Sequence, residues 1–287
     1  MTYMRLSPSG IPADSVVAAL TKTLTASVTK LPSADHQTLL KKRKWLQTHT
    51  IEPPPSLGRN ANTTAKPIID ATLVFAQEEA GTAVCISPQG LLLTCSHCIA
   101  ETAEELSWTK VHWLLFSSGK VVAAKTIVWD DRRDLALLQV VKASDLTSEA
   151  AFPYLRIAFP NTPMKRNTPL ICIGHPGSED LETSIPGVQT NYDSLVLSTG
   201  KYYGLAKGQD PQDNSEIGCL MHDCWTYWGH SGAPLVERKS GELVGVHSSW
   251  DDETAMRRGV PLEALRAFLD ECQMLSPGFS LPERREA

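Results

Sequence analysis

The sequence has no run of about 18 or more apolar residues, so no membrane-spanning helix is expected. Its opening, MTYMRLSPSGIPADSVVAAL, has no basic segment followed by a continuous apolar core, which argues against a secretory signal. Acidic residues are scarce at the start: the first 50 positions hold only Asp14 and Asp35 among many Ser and Thr, which keeps a mitochondrial presequence in view. An excess of basic residues is also missing. Lys and Arg number 27 against 32 Asp and Glu, a net charge of -5, which argues against a general nucleic-acid binder. No internal repeat is visible. Cysteine is not scarce. There are seven, an odd number without a secretory leader, and they read as free thiols of a reduced, intracellular protein. A cytoplasmic location is expected, with nucleus and mitochondrion as alternatives.

What is present is ordinary globular composition, 42% hydrophobic and 21% charged over 287 residues, enough to bury a core. The charge is uneven: residues 1–70 hold nine Lys/Arg and four Asp/Glu. Val16, Val17, Leu20, Leu24, Val28 and Leu31 fall near helical spacing and predict a helix over 14–31 with Asp14 as cap. A second helix is predicted over SADHQTLLKKRKWLQTH, capped by Ser33. Its run Lys41-Lys42-Arg43-Lys44 reads as a solvated face, against the alternatives of a nuclear address or an anion-binding contact. Residues 52–67, EPPPSLGRNANTTAKP, read as a proline-stiffened linker.

Beyond residue 67 the texture changes to short strand-like runs such as IIDATLVFAQ, GLLLTCS, KVVAAKTIVWD, DLALLQVV, PLICIGHPG and GELVGVHSSW, broken by Gly, Pro, Ser and Asp. Many short strands with turn signals predict an all-β barrel or sandwich. PLEALRAFLDECQML, 261–275, predicts a closing amphipathic helix with Leu262, Leu265, Phe268, Leu269 and Cys272 on its apolar face.

Three local patterns carry chemistry: His97 in LLLTCSHCIAE, Asp134 in RRDLALLQV, and Ser231 in WGHSGAPLV. Taken singly, His97 would be a packed or surface histidine and Asp134 a strand-edge charge. Ser231, however, lies in G-x-S-G, where glycines permit a tight turn that exposes a hydroxyl and aims backbone N–H groups at one point. TCSHC, 94–98, is open to three readings on its own: a metal knuckle, a redox pair, or a catalytic histidine with two bystander thiols.

In company with the other motifs, the sequence resembles the chymotrypsin-fold serine peptidases, closest to the HtrA/Deg branch, over about residues 70 to 272. GTAVCISPQGLLLTCSHCI, RDLALLQV, ICIGHPGS and DCWTYWGHSGAPLVERKSGELVGVHSS carry the resemblance, in that order. It implies two antiparallel six-stranded β-barrels with the site between them, a helical N-terminal extension and a C-terminal helix. The expected division is 1–66 for the extension and linker, 67–275 for the peptidase domain and 276–287 for a tail. Within the domain, 67–145 is the first barrel, 146–260 the second and 261–275 the helix. No PDZ domain is expected to follow.

The resemblance also implies roles: Ser231 as nucleophile, His97 as base, Asp134 as its orienting carboxylate, and the N–H groups of Gly229 and Ser231 as oxyanion hole. Ser248 is expected near Asp134, and Ser248, Ser249 and Trp250 are expected to align substrate by strand addition. The substrate is a protein or peptide, no cofactor is implied, and residues 1–66 could serve oligomerisation or docking. Trp225 and Thr226 fall on the wall of the specificity pocket. No Asp lies there, and small or medium apolar side chains are expected. Departures from the branch are Trp228, His230 and Ala233. Trp228 is expected to crowd the oxyanion turn, which allows a latent enzyme. A catalytically silent peptide-binding module is the competing reading, and an esterase a weaker one.

Zinc remains a second alternative, because Cys95, Cys98, Cys219, His222 and Cys224 form C-x2-C and C-x2-H-x-C. Strand alternation speaks against it, placing Cys95 and His97 on one face and Cys98 on the other. The thiols are read as small buried hydrophobes and no metal is assigned.

Overall fold

A computed structural model describes residues 4–10, 17–21, 23–77, 81–145, 151–159 and 163–275. The N-terminal part supplies β1 (Met4–Leu6), β2 (Ala18–Ala19), α1 (Ala26–Thr29), α2 (Ser33–Thr48) and α3 (Ala61–Ala71). β3 (Thr72–Phe75), β4 (Thr82–Cys85), β5 (Leu91–Thr94), β6 (Val111–Phe116), β7 (Val121–Asp130) and β8 (Leu135–Ala143) follow. These six strands, in the order β7-β6-β3-β4-β5-β8, are closed by pairing of β7 with β8. β9 (Pro169–Gly174), β10 (Val196–Leu205), β11 (Leu220–His222), β12 (Pro234–Glu237), β13 (Leu243–Asp251) and β14 (Met256–Pro261) form the second closed barrel, and α4 (Leu262–Leu275) ends the described chain. The expected pair of six-stranded antiparallel barrels is what the chain builds.

The strands of the first barrel read as continuous apolar runs because both of their faces are covered. Alternate residues feed two separate cores. Leu73, Phe75, Leu92, Ala136 and Leu138 join Trp129, Phe116 and Phe152 in one. Val74, Leu91, Leu93, Leu135 and Leu137 join the second barrel, the N-terminal helices and α4 in the other. The predicted apolar face of α4, from Leu262 to Cys272, is buried in that second core.

The N-terminal part differs from expectation. Residues 17–21 and 23–25 are not helical: Ala18 and Ala19 pair in parallel with Lys142 and Ala143 of β8, and helix in this stretch is confined to Ala26–Thr29. The proposed cap Asp14 lies outside the described residues, as does the 276–287 tail. The helical spacing loses to an edge that needs covering: β5 pairs with β8 only over 136–139, and β2 takes the overhang. β1 does the same for β7 at 128–130. The expected linker is also structured. Ala65, Ile68 and Ala71 form a buried stripe on α3, which overrides Pro67 inside the helix and takes Ile68 to Ala71 out of the strand expected there. The basic run is split: Lys41 and Lys44 are exposed, whereas Lys42 is buried and donates to the carbonyls of Phe75 (3.0 Å) and Gln77 (2.9 Å).

Leu24, Leu39, Leu46 and Leu57 are part of the common core, so residues 24–57 are integral to the barrels they cover. Leu39→Ala is expected to destabilise the protein by about 2–5 kcal/mol, measured by denaturant unfolding. A loss under about 1 kcal/mol would show that α2 is a loosely attached appendage.

Candidate active site

His97 lies in the turn after β5. The N–H groups of Ile99 (2.9 Å) and Ala100 (3.1 Å) both donate to the Ser96 carbonyl, so 96–100 coil rather than extend. Strand alternation therefore does not apply here. Cys95 is fully buried with its thiol on the His247 carbonyl (3.3 Å), and the half-buried Cys98 thiol lies 3.5 Å from the Ser231 carbonyl. Cys95 lies on the His97 side as expected, its sulfur within 4.8 Å of ligand atoms of His97 and Asp134, but Cys98 is not turned away: it lies on the Ser231 side.

Asp134 occupies the turn between β7 and β8 in the left-handed region (φ 52°), which aspartate tolerates better than most residues. Its neighbour Arg133 pins the turn by reaching Asp130 (2.7 Å) and Glu271 of α4 (3.1 Å). Asp134 is buried and receives four hydrogen bonds. Oδ1 accepts from His97 Nδ1 (2.8 Å), Ser96 Oγ (3.0 Å) and the His97 N–H (3.3 Å), and Oδ2 accepts from Ser248 Oγ (2.6 Å). Burial works to raise its pKa, but the imidazole and these donors outweigh it and hold the carboxyl below the usual range. For His97 burial works against the charge. The Asp134 carboxylate and the nearby Cys98 thiol outweigh it, so its pKa is raised well above 6.5.

Ser231 stands between two glycines that the backbone demands. Gly229 has φ 91°, and a Cβ there would meet the His175 carbonyl oxygen at 2.5 Å. At Gly232, with φ 84°, a Cβ would meet the Thr82 carbonyl oxygen at 2.1 Å. The Gly229 carbonyl accepts from Thr82 Oγ1 (2.9 Å), and Thr82 N–H donates to the Ser231 carbonyl (2.8 Å), so β4 carries the loop. Among the described residues the N–H groups of Gly229 and Ser231 have no partner. Trp228 does not crowd this turn: it is 58% exposed, and its carbonyl is held by the Gly177 N–H (2.7 Å). The Ser231 hydroxyl donates to the Ser248 carbonyl (3.1 Å), and no hydrogen bond joins it to His97. Ser248 thus touches Asp134 through its hydroxyl and Ser231 through its backbone.

The remaining expected residues fall as follows. Trp225 stands edge-on to His230 (5.4 Å) and near-parallel to Tyr227 (6.5 Å), and Thr226 follows it, nearly buried. Ser249 Oγ accepts from the Gly218 N–H (3.1 Å), and Trp250 is half-exposed beneath the Arg257 guanidinium. Ser249 and Trp250 pair with β14 on one edge, with Ser248 at a bulge before them, while the β12 ladder on the other edge stops at Val246.

The zinc set is not assembled. Among the described residues the group of three ligand atoms within 4.8 Å of one another is Cys95, His97 and Asp134, and it lacks Cys219, His222 and Cys224. All seven cysteines are free thiols. Residues that the motifs did not single out also build the site: Thr82, Ser96, His247 and Arg257. Ser96 was next to His97 in the quoted motif. Thr82 and His247 also lay inside the motifs without a role assigned to them, and Arg257 needed the fold, because β14 meets β13 only once the second barrel closes. No helix among the described residues is long and apolar enough to cross a membrane.

A family model described as trypsin-like peptidase domain matches residues 81–246. Similar solved structures include a serine-to-alanine mutant of Rv3671c from M. tuberculosis H37Rv, inactive form. It has 15% identity and TM-score 0.54, covering 80% of this chain and 98% of that one. The Rv3671c protease, inactive form, gives 14% identity and TM-score 0.52, with 78% and 99% covered. At these identities the likeness concerns the fold.

Proposed function

The chain belongs to the trypsin-like peptidase domain family, and from that premise we propose that it is a serine endopeptidase nearest the HtrA/Deg branch. The observation that carries this reading is the linked group of His97, Asp134, Ser248 and Ser231. In this reading Ser231 Oγ attacks the scissile carbonyl. His97 Nε2 takes its proton and returns it to the leaving amine. Asp134 fixes the imidazole with Nδ1 protonated and stabilises the imidazolium. The free N–H groups of Gly229 and Ser231 would receive the oxyanion, each worth about 3 kcal/mol in comparable sites. The open edge of Ser248–Trp250 would pair with the substrate backbone.

The arrangement is a resting one. Ser231 is turned to a carbonyl rather than to His97, and Asp134 favours the charged imidazolium, which cannot accept a proton. Catalysis then needs rotation of the Ser231 hydroxyl and loss of the His97 proton. Activity should rise with pH and reach half its plateau above pH 6.5, because the neutral imidazole is the active form and its pKa is raised. A kcat/KM profile with its midpoint at or below that value would contradict this assignment of the base.

The test of the function is digestion of an unfolded protein, followed by mass spectrometry. New termini within the chain, suppressed by a serine-directed inhibitor, are expected. An intact substrate across pH 6 to 10 would overturn the reading.

A further inference from the structure

Three neighbouring strands place three side chains in one row. His222 of β11 lies opposite Arg257 of β14, and Arg257 lies opposite Trp250 of β13. Side chains of directly opposed residues project from the same face of a sheet. His222 is fully buried, so the row begins inside the second barrel, and it ends at the 44% exposed Trp250. Arg257 sits between, its guanidinium 4.4 Å from the Trp250 ring centre. Its Nε is buried without a hydrogen-bond partner. Among the described residues no carboxylate lies within ion-pair distance of it. Asp223 is engaged instead with the Lys201 N–H and the Tyr203 hydroxyl.

Behind Arg257 lies a group of buried imidazoles. His222 Nε2 and His247 Nδ1 are 3.1 Å apart, and the His230 ring lies 6.4 Å from that of His247. Burial pushes His222 and His230 down to about 3, and the charge of Arg257 adds to the lowering, so these rings are neutral donors and acceptors at pH 7. His222 Nδ1 and His230 Nε2 are buried without partners. Neither His247 Nε2 nor Thr226 Oγ1 makes a hydrogen bond among the described residues. The buried Arg257 Nε without a partner is costly, and an incoming anion with two acceptor oxygens can accept from it where an apolar group cannot.

The place matters as much as the chemistry. His247 directly precedes Ser248, whose carbonyl holds the Ser231 hydroxyl, and Thr226 lies on the segment that leads into Gly229 and Ser231. A substrate strand along Ser248–Trp250 puts the side chain before the scissile bond between these two segments. We propose that this recess receives a carboxylate, and that the enzyme cleaves after glutamate or aspartate. Arg257 supplies the charge, and His247 and Thr226 supply hydrogen bonds. The inference rests on Ser231 being the nucleophile. It replaces the apolar preference drawn from Trp225 and Thr226 alone, which took no account of Arg257.

The test uses three peptidyl diphenyl phosphonates of one sequence, with glutamate, valine or lysine before the phosphorus, reacted with the full chain. The glutamate probe should label about ten- to a hundred-fold faster than the valine probe, and lysine slowest. Arg257→Gln should lower the glutamate-to-valine rate ratio at least about tenfold, and Arg257→Lys should retain part of it. Because the ratio is taken within one protein, a partly folded variant still gives an answer. Fastest labelling by valine or lysine, or a ratio unchanged in both variants, overturns the acidic preference and leaves the peptidase reading standing. No labelling by any probe overturns both.

Discussion

Ser231→Ala is expected to lower kcat by about a million-fold while leaving the fold intact. The hydroxyl makes one hydrogen bond, to the Ser248 carbonyl, so its removal should cost the folded state only about 1 kcal/mol. Its chemical role has no substitute. Water would have to enter the interbarrel cleft and be activated by a base placed for a side chain. His97→Ala should fall to a similar rate, and the double variant should be hardly worse than either single one, since the two act as a unit. Steady-state kinetics on one peptide substrate checks all three. Additive losses would mean that the two residues do not share one step.

Asp134→Asn carries the second-largest expected effect, about 10⁴-fold in kcat. Every partner of Asp134 is a donor: His97 Nδ1, the His97 N–H, Ser96 Oγ and Ser248 Oγ. An asparagine offers one acceptor oxygen, so its NH₂ must face a donor. Either the Ser248 hydroxyl turns round to accept from it, or His97 is driven to the wrong tautomer. Asparagine tolerates the left-handed backbone at this position, so the turn should survive. Loss of the negative charge also removes the larger of the two influences that raise the His97 pKa, the other being Cys98. Since the neutral imidazole is the active form, the midpoint of the residual activity should move to lower pH. An unchanged midpoint would separate His97 from the titration.

Much of the barrel architecture was legible because its strands are short, apolar and punctuated. β11 and β14 were not, since LMH is only three residues long and MRRGVP has two arginines among six residues. Arg257 and His222 lie on these two strands, and so the proposed anion-binding site stayed hidden. The N-terminal part misled for a different reason. Its helical spacing is real, but β7 and β8 extend beyond their barrel partners, and the chain is drawn onto those edges. At the site, the motifs named His97, Asp134, Ser231 and Ser248, which the fold does bring into one linked group. The position of Cys98 was missed because residues 96–100 coil, and alternation holds only in a strand. Buried contacts such as Lys42 on the carbonyls of Phe75 and Gln77 depend on long-range packing that no local pattern reports.

The central claim is that Ser231 is a nucleophile activated by His97. A fluorophosphonate reports on it directly: the serine oxygen bonds to phosphorus, fluoride leaves, and the hydroxyl proton passes to the base. Peptide mapping after reaction at pH 8 to 9 should place one adduct on the peptide containing Ser231, absent from Ser231→Ala and strongly slowed in His97→Ala. A protein that takes up no adduct under these conditions, or an adduct that persists in Ser231→Ala, would contradict the account.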